Sequence, residues 1–154
     1  MPTGMLSVQQ TATGLELRIA ATLPNIDEAD QVVSDFLAAR ASQADLFAIR
    51  ILLREALLNA VTHGCGEDPG QVITLELDLD ASGITLAVAD EGEGFDWRAR
   101  SGALDVLGDG GRGLPLLRFY SSHVDFNAAG NRVVLRRDFT PASQKQQTVG
   151  GGSA

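Results

Sequence analysis

A glutamate and an asparagine four residues apart are the side chains best placed to do chemistry in this sequence. Glu55 and Asn59 lie in the segment 52–64, which reads Leu-Leu-Arg-Glu-Ala-Leu-Leu-Asn-Ala-Val-Thr-His-Gly. In a helix this spacing puts both side chains on one face. The carboxylate can orient or deprotonate a nucleophile, and the amide oxygen can ligate a hard cation such as magnesium. The alternative is that Glu55 and Asn59 are ordinary polar residues on a solvated helix face. This alternative is favoured when the segment is considered alone.

The helix that positions this pair has an adjoining apolar stripe. Its members recur three and four residues apart: Ile49, Leu52, Leu53, Ala56 and Ala60. This period predicts a helix over 43–63 that packs into a core along one side. Ser42 and Asp45 predict a capped start, and Gly64 follows the last turn, where glycine commonly ends a helix.

An aspartate followed by two glycines comes directly after a predicted strand. The residues are Asp90-Glu91-Gly92-Glu93-Gly94, behind the alternating run 84–89. Glycine allows a backbone to approach a ligand closely, and an aspartate here can accept a hydrogen bond from an exocyclic amine such as that of adenine. The motif in isolation is equally typical of a simple acidic turn.

A glycine-rich connection precedes the last predicted helix. Residues 96–113 lack a firm period, and a connection of this length is usually a functional lid or a disordered segment. It ends at a helix that starts near Leu114, where backbone N–H groups favour phosphate and Arg112 can add charge-assisted bonds. The alternative is a flexible linker with one arginine. The sequence has neither a Walker-type loop nor a GxGxxG motif after a strand.

The hydrophobic periodicity of the remaining segments predicts one folded domain over 12–139. We expect a flexible N-terminus over 1–11 and a flexible tail over 140–154. Asn25 can cap a helix that runs to about Arg40, with Glu28 three residues later. The short link after residue 79 predicts an antiparallel hairpin. The strands that alternation and turn residues predict are 15–20, 72–79, 84–89, 124–127 and 132–139.

Composition restricts the class of protein. The chain has 154 residues and a formal net charge of -8, which argues against general binding to nucleic acid or to anionic membrane. The single cysteine, Cys65, excludes an internal disulfide and suits a cytoplasmic location. We find no pattern typical of a secretory signal and no apolar run long enough to span a bilayer.

The order of these motifs is more specific than any one of them. A helix with Glu-x-x-x-Asn, a strand followed by Asp-x-Gly-x-Gly, and a long loop ending Gly-x-Gly-Leu resemble the GHKL ATP-binding fold. The wording Glu-Ala-Leu-Leu-Asn-Ala-Val-Thr-His-Gly resembles the bacterial anti-sigma-factor serine/threonine kinases within that superfamily. The resemblance covers residues 12–138. It implies an α/β sandwich (the GHKL, or Bergerat, fold) in which helices cover one face of a mixed, mostly antiparallel sheet.

The resemblance also implies roles for single residues. Glu55 is the implied general base, Asn59 the ligand of a magnesium ion bridging the phosphates, and Asp90 the acceptor from the adenine amine. Residues 96–113 are the implied ATP lid. The other residues implied near the nucleotide are two glycines of the base pocket, one histidine and the end of the lid: Gly92, Gly94, His63, Gly111, Arg112, Gly113 and Leu114. A structural role at the helix end stays open for His63.

Two positions depart from the pattern of these kinases. Glu93 stands where proline is frequent between the two glycines. Gly130-Asn131 stands where the last strand often begins Gly-Thr, the threonine helping to hold nucleotide. Either Asn131 substitutes as a hydrogen-bonding group or nucleotide binding is weaker.

The activity that the resemblance implies is an ATP- and magnesium-dependent protein serine kinase that is also an anti-sigma factor. Its implied partners are a STAS-type anti-sigma-factor antagonist, which it phosphorylates, and a sigma factor. Members of the family commonly form dimers, so a homodimer is implied as well. Two alternatives remain: a partner-sequestering binding module with reduced kinase activity, and a response-regulator-associated kinase that binds no sigma factor.

Overall fold

The computed structural model of the chain describes residues 5–92 and 113–139. Over these residues the elements are β1 (Met5–Gln10), β2 (Gly14–Ala20), α1 (Pro24–Leu37), α2 (Gln43–Asn59), β3 (Val72–Asp80), β4 (Gly83–Asp90), α3 (Gly113–Tyr120), β5 (His123–Phe126) and β6 (Arg132–Asp138). A π-helical turn, Ala60–Gly64, continues α2 directly. The predicted strands and helices therefore correspond to observed elements, with small shifts at their ends.

The described strands form one sheet in the order β1-β2-β3-β4-β6-β5. Every pairing in it is antiparallel, including the predicted hairpin of β3 and β4. The α/β sandwich is confirmed, but the expectation of a mixed sheet is wrong for these strands. Short turns force the hairpin strands to run antiparallel, and β6 runs opposite to β4 because the β5–β6 turn reverses the chain after β5, which has the same direction as β4.

The core lies between one face of the sheet and the helices. Alternation puts every second strand residue on this inner face, so that Leu17, Leu75, Val88 and Val133 follow one another across four strands. All four are buried. The outer face carries charged and small side chains, as the sequence pattern of a sheet covered on one side requires.

The predicted apolar stripe of α2 is confirmed as its core face. Each member is buried: Ile49, Leu52, Leu53, Ala56 and Ala60. The start of the helix is capped as expected, because the Ser42 hydroxyl oxygen accepts a hydrogen bond from the backbone N–H of Asp45 at 3.1 Å. Arg137 of β6 donates through Nε to the buried Asp45 carboxylate at 3.0 Å, which fixes the start of α2 to the sheet.

The expectation of a flexible N-terminus is wrong for residues 5–10, which form the edge strand β1. Leu6 and Val8 are exposed, so the apolar side chains of β1 do not mark a buried face of the strand. Backbone pairing with β2 orders this segment, and such pairing leaves no periodic pattern in side chains at a sheet edge. Residues 1–4 and the predicted tail, 140–154, lie outside the described residues.

The predicted cap of α1 is also wrong. The helix begins at Pro24 with Leu23 in the N-cap position, and proline suits the first turn because its missing N–H would have no helical partner there. Asn25 is buried, and its side-chain amide donates to the Ala20 carbonyl oxygen at 2.8 Å. Asn25 therefore fastens α1 to the end of β2 rather than capping the helix.

Candidate functional site

The alternation of β4 explains where Asp90 lies. Ile84, Leu86 and Val88 are buried on the inner face, so Asp90, two residues further on, is on the same face at the edge of the core. Burial of the carboxyl raises the pKa of Asp90, while a hydrogen bond from the Gly92 backbone N–H to Oδ1, at 2.8 Å, acts in the opposite direction. An acceptor of this kind is suited to a ligand amine.

Two glycines allow the end of α2 to touch the end of β4. A Cβ atom at Gly64 would lie 2.3 Å from Oδ2 of Asp90, and one at Gly92 would lie 1.8 Å from the Gly64 carbonyl oxygen. Only residues without side chains can approach so closely. The helical segment ends at Gly64 as expected, but the positive backbone angles follow it, with φ of 59° at both Gly66 and Glu67.

A pocket lies between α2, β4 and the β5–β6 turn. The described residues that line it are Ala56, Asn59, Ala60, Val88, Asp90, Phe126, Gly130, Asn131, Arg132 and Val133. Asn59 is 9% exposed and Asp90 is half-buried, so both polar groups meet the pocket from an apolar surround. Apolar walls with a few polar groups are typical of small-molecule sites.

Glu55 lies one helical turn before Asn59 but is not among the described residues that line this pocket. Its side chain is half-buried, and burial raises the pKa of Glu55 while the charge of Arg54 opposes that shift. Arg54 itself is directed to α1, where it donates to Asp30 at 3.0 Å and to Asp27 at 2.8 Å. The surroundings of the Glu55 carboxyl therefore differ from those of Asn59 and Asp90, which line the pocket.

The other predicted residues divide into two groups. His63 is half-buried in the π-helical turn and, like Glu55, does not line the pocket within the described residues. Gly113 and Leu114 form the start of α3, as expected for a helix that follows the glycine-rich connection. Gly94, Gly111, Arg112 and nearly all of the predicted lid, 96–113, lie outside the described residues.

A hydrogen-bonding role for Asn131 is one of the two alternatives that the sequence leaves open, but the sequence does not predict the contacts that the β5–β6 turn makes. Asn131, Gly130 and Arg132 line the pocket, and Asn131 also contacts the glycine loop that follows β4. An Asn-x-x-Gly spacing from Asn127 to Gly130 marks this turn in the sequence. Spacing alone could not show that the turn meets residues forty positions earlier, because β4 and β6 become neighbours only in the sheet.

Two other kinds of site are absent from residues 5–92 and 113–139. This part of the chain has no group of three or more His, Cys, Asp or Glu side chains that could hold a metal ion. No helix within it has the length and hydrophobicity needed to cross a membrane.

Comparison with known proteins gives two matches. Residues 19–137 match the family described as histidine kinase-like ATPase domain. A curated relative, the anti-sigma F factor of Geobacillus stearothermophilus, is 30% identical over 82 residues. That alignment covers 53% of this chain and 56% of the relative, so the chain spans little more than half the length of the relative it matches.

Proposed function

Because the chain belongs to the histidine kinase-like ATPase domain family, we propose that it is an ATP-dependent protein serine kinase that also acts as an anti-sigma factor. Membership of the family implies that the chain binds ATP. The phosphate acceptor in this proposal is a serine of a STAS-type anti-sigma-factor antagonist. A sigma factor is the second partner.

The observation that carries the proposal is that Asn59 and Asp90 line one pocket although they lie 31 positions apart in the sequence. The Asp90 carboxylate is suited to accept from the exocyclic amine of adenine, which would put the base at the end of β4. The Asn59 amide oxygen is suited to a magnesium ion that also binds the phosphates, because magnesium prefers oxygen ligands. When bound, this ion would offset the negative charge of the phosphates.

Glu55 is the proposed general base. In the transfer, the serine oxygen would form a bond to the γ-phosphorus as the bond to the β-phosphate oxygen breaks, and the serine proton would pass to the Glu55 carboxylate. ADP is the leaving group. The raised pKa of Glu55 supports this role, since a carboxylate with a higher pKa is a stronger base. Its side chain is half-buried and does not line the pocket, and the proposal places the acceptor serine on that side of α2.

The partners are proposed from the matched relative, whose name describes an anti-sigma factor. The alignment with that relative includes about half of each chain, so this step needs its own test. We infer that the antagonist binds to the surface around Glu55, with its acceptor serine near the Glu55 carboxyl. Phosphorylation of the antagonist would then decide which of the two partners is bound.

A transfer assay tests the kinase. The purified chain is incubated with magnesium and ATP labelled at the γ-phosphate, and STAS-type domains from the same organism are added one at a time. Label is expected on a serine of one of these domains, identified by mass spectrometry. Calorimetry with ADP and magnesium, on the same preparation, measures nucleotide binding independently of any partner.

The two measurements separate the ways in which the proposal can fail. Nucleotide binding with tight binding of an antagonist but no transfer of label would favour a sequestering module over a kinase. Absence of binding to ADP would contradict the assignment of the pocket itself. Pull-downs from the native cell, with ATP present and absent, test the sigma factor, because its absence from both would overturn the anti-sigma role.

A further inference from the structure

Asn127 builds the β5–β6 turn around its own side chain. Its Oδ1 accepts hydrogen bonds from the backbone N–H groups of Gly130, Asn131 and Arg132 at 2.8, 3.0 and 3.2 Å. Gly130 supports the turn with a φ of 82°, a backbone conformation that glycine adopts without steric cost. The turn is therefore held in one conformation before any ligand arrives.

Asn131, in this turn, forms hydrogen bonds with Asp90 and with Gly92, two residues further along the chain. Its backbone carbonyl oxygen accepts from the Asp90 N–H at 2.9 Å, and its side-chain Nδ2 donates to the Gly92 carbonyl oxygen at 3.0 Å. Its side-chain Oδ1 accepts from Nδ2 of Asn127 at 2.7 Å. These contacts connect the turn to the loop that carries the candidate adenine acceptor.

We propose that Asn131 is a positioning residue for nucleobase recognition, holding Asp90 and Gly92 in place through the Asn127–Asn131–Gly92 hydrogen bonds. Both ends of its carboxamide have protein partners, so Asn131 acts on the base through Asp90. This inference deepens the proposed function and rests on it. It assigns to Asn131 a role in the preference for adenine over a purine that lacks the exocyclic amine.

The chemistry of the two side-chain contacts accounts for an asparagine at this position. The side chain must accept from Asn127 with one end and donate to the Gly92 carbonyl with the other, and a carboxamide has both an acceptor and a donor. An aspartate of the same shape has no donor and would set a carboxylate oxygen against the Gly92 carbonyl oxygen. Asn131→Asp therefore removes the contact with Gly92 while the backbone contact with Asp90 can remain.

The matched experiment compares Asn131→Asp with Ala129→Asp. Ala129 is exposed in the same turn, so its substitution adds the same charge without removing a hydrogen bond of the network. Calorimetry with magnesium measures binding of ADP and of inosine diphosphate, in which a carbonyl replaces the exocyclic amine. We expect Asn131→Asp to bind ADP about fivefold to tenfold more weakly, the loss expected for one hydrogen bond, with a change of less than about twofold for inosine diphosphate.

Two further variants remove the same contacts differently. Asn131→Ala deletes both side-chain hydrogen bonds without adding charge and is expected to reduce the preference for ADP to the same extent. Asn127→Asp keeps the acceptor that holds the turn but loses the donor to Asn131, and a smaller reduction is expected. Amide hydrogen exchange at Asp90 and Gly92 in the nucleotide-free protein should accelerate in Asn131→Asp and not in Ala129→Asp.

The outcomes that overturn the proposal differ from those that overturn the proposed function. If wild type prefers ADP and Asn131→Asp keeps that preference, Asn131 has no positioning role. Equal weakening of both nucleotides in Asn131→Asp would mean general damage to the pocket and would also overturn it. A wild-type protein that binds neither nucleotide would overturn the proposed function, and the role of Asn131 with it.

Discussion

Two regions of the candidate site differ in how they are held together: the region of Gly64, Asp90 and Gly92, and the region around Glu55. In the π-helical turn after α2, Gly64 packs against the Asp90 carboxyl and the Gly92 backbone so closely that neither glycine has room for a side chain. About two and a half turns earlier, Glu55 is a half-buried side chain beside Arg54, whose side chain is 46% exposed. The first region is closely packed around two glycines, whereas the second is formed by side chains that solvent can reach.

This difference indicates a division of tasks. A ligand group that must always fit in one way, such as a nucleobase, is best bound by a region whose shape does not adjust. A reacting group that comes from a second protein needs access, which a rigid and enclosed region would deny. The variants below test this division, because each should affect either binding at the first region or chemistry at the second.

Glu55→Gln should produce the largest effect and confine it to chemistry. The amide cannot accept the serine proton, so transfer of phosphate to the acceptor should fall by roughly a hundredfold or more. ADP affinity, measured by calorimetry, should stay within about twofold of wild type. Transfer at the wild-type rate would remove Glu55 from the mechanism, and loss of ADP binding would remove the division between the two regions.

Gly64→Ala should strongly reduce binding. The added Cβ would lie 2.3 to 2.8 Å from the three carboxyl atoms of Asp90, so the carboxyl must move. We expect ADP binding to weaken by more than about tenfold, since the acceptor of the base is displaced. Isothermal titration with ADP and magnesium gives the value.

Gly66→Ala is the control for that variant. No atom lies within 4 Å of a Cβ at Gly66, but its φ of 59° disfavours alanine. The substitution should lower the free energy of unfolding by about 1 kcal/mol and leave ADP affinity unchanged. Equal losses of affinity in the two glycine variants would mean that stability, and not the contact with Asp90, determines binding.

Asp90→Asn should weaken ADP binding by about tenfold while making the nucleotide-free protein more stable at neutral pH. Burial raises the pKa of Asp90 in the folded state above its ordinary value of 3.8, so the folded protein binds this proton more readily than the unfolded chain does. Stability therefore falls as pH rises through the raised pKa, and the asparagine lacks that penalty. Thermal unfolding of both proteins between pH 4 and pH 7 checks the sign, and a destabilised variant at pH 7 would contradict it.

Asp30→Ala should give the smallest effect and should spare both regions. Asp30 is 5% exposed, and burial alone would raise its pKa, but hydrogen bonds and charge from Arg50 and Arg54 outweigh burial and lower it. Loss of these pairs should cost about 1 to 2 kcal/mol, because both arginines remain about half exposed. Urea unfolding measures the cost.

The same pairs predict the pH dependence that Asp30 contributes. Its folded-state pKa lies below the ordinary 3.8, so the stabilisation is complete above that value and is lost as pH falls through the lowered pKa. The difference in stability between wild type and Asp30→Ala should therefore narrow only in strong acid. A difference that already narrows between pH 7 and pH 5 would point to another group.

Much of the fold could be predicted because its signals are local. The period of α2, its cap at Ser42 and the alternation of β3 and β4 each depend on residues a few positions apart. The strand β1 could not be predicted in this way, since an edge strand owes its order to a neighbour in the sheet. Asn25 shows the same limit: its sequence context is that of a cap, but the carbonyl of Ala20 binds its amide.

The candidate site shows the same difference between what local sequence predicts and what it cannot. The types and spacing of Glu55, Asn59 and Asp90 can be read from the sequence, and with them the order of the motifs that indicates the family. That Asp90 faces inward follows from the two-residue period of β4. The contact of Asn131 with Gly92, across 39 positions, has no counterpart in any local period.

The sequence by itself determined which groups are available, where the helices and most strands run, and the family to which the chain belongs. Only the tertiary structure decided that Asn59 and Asp90 share a pocket, that Glu55 does not line it, and that the β5–β6 turn contacts Asp90 and Gly92. The physical reason is that periodicity acts over one or two turns of chain. Contacts between the end of a helix, the end of a strand and a distant turn exist only once the sheet has brought them together.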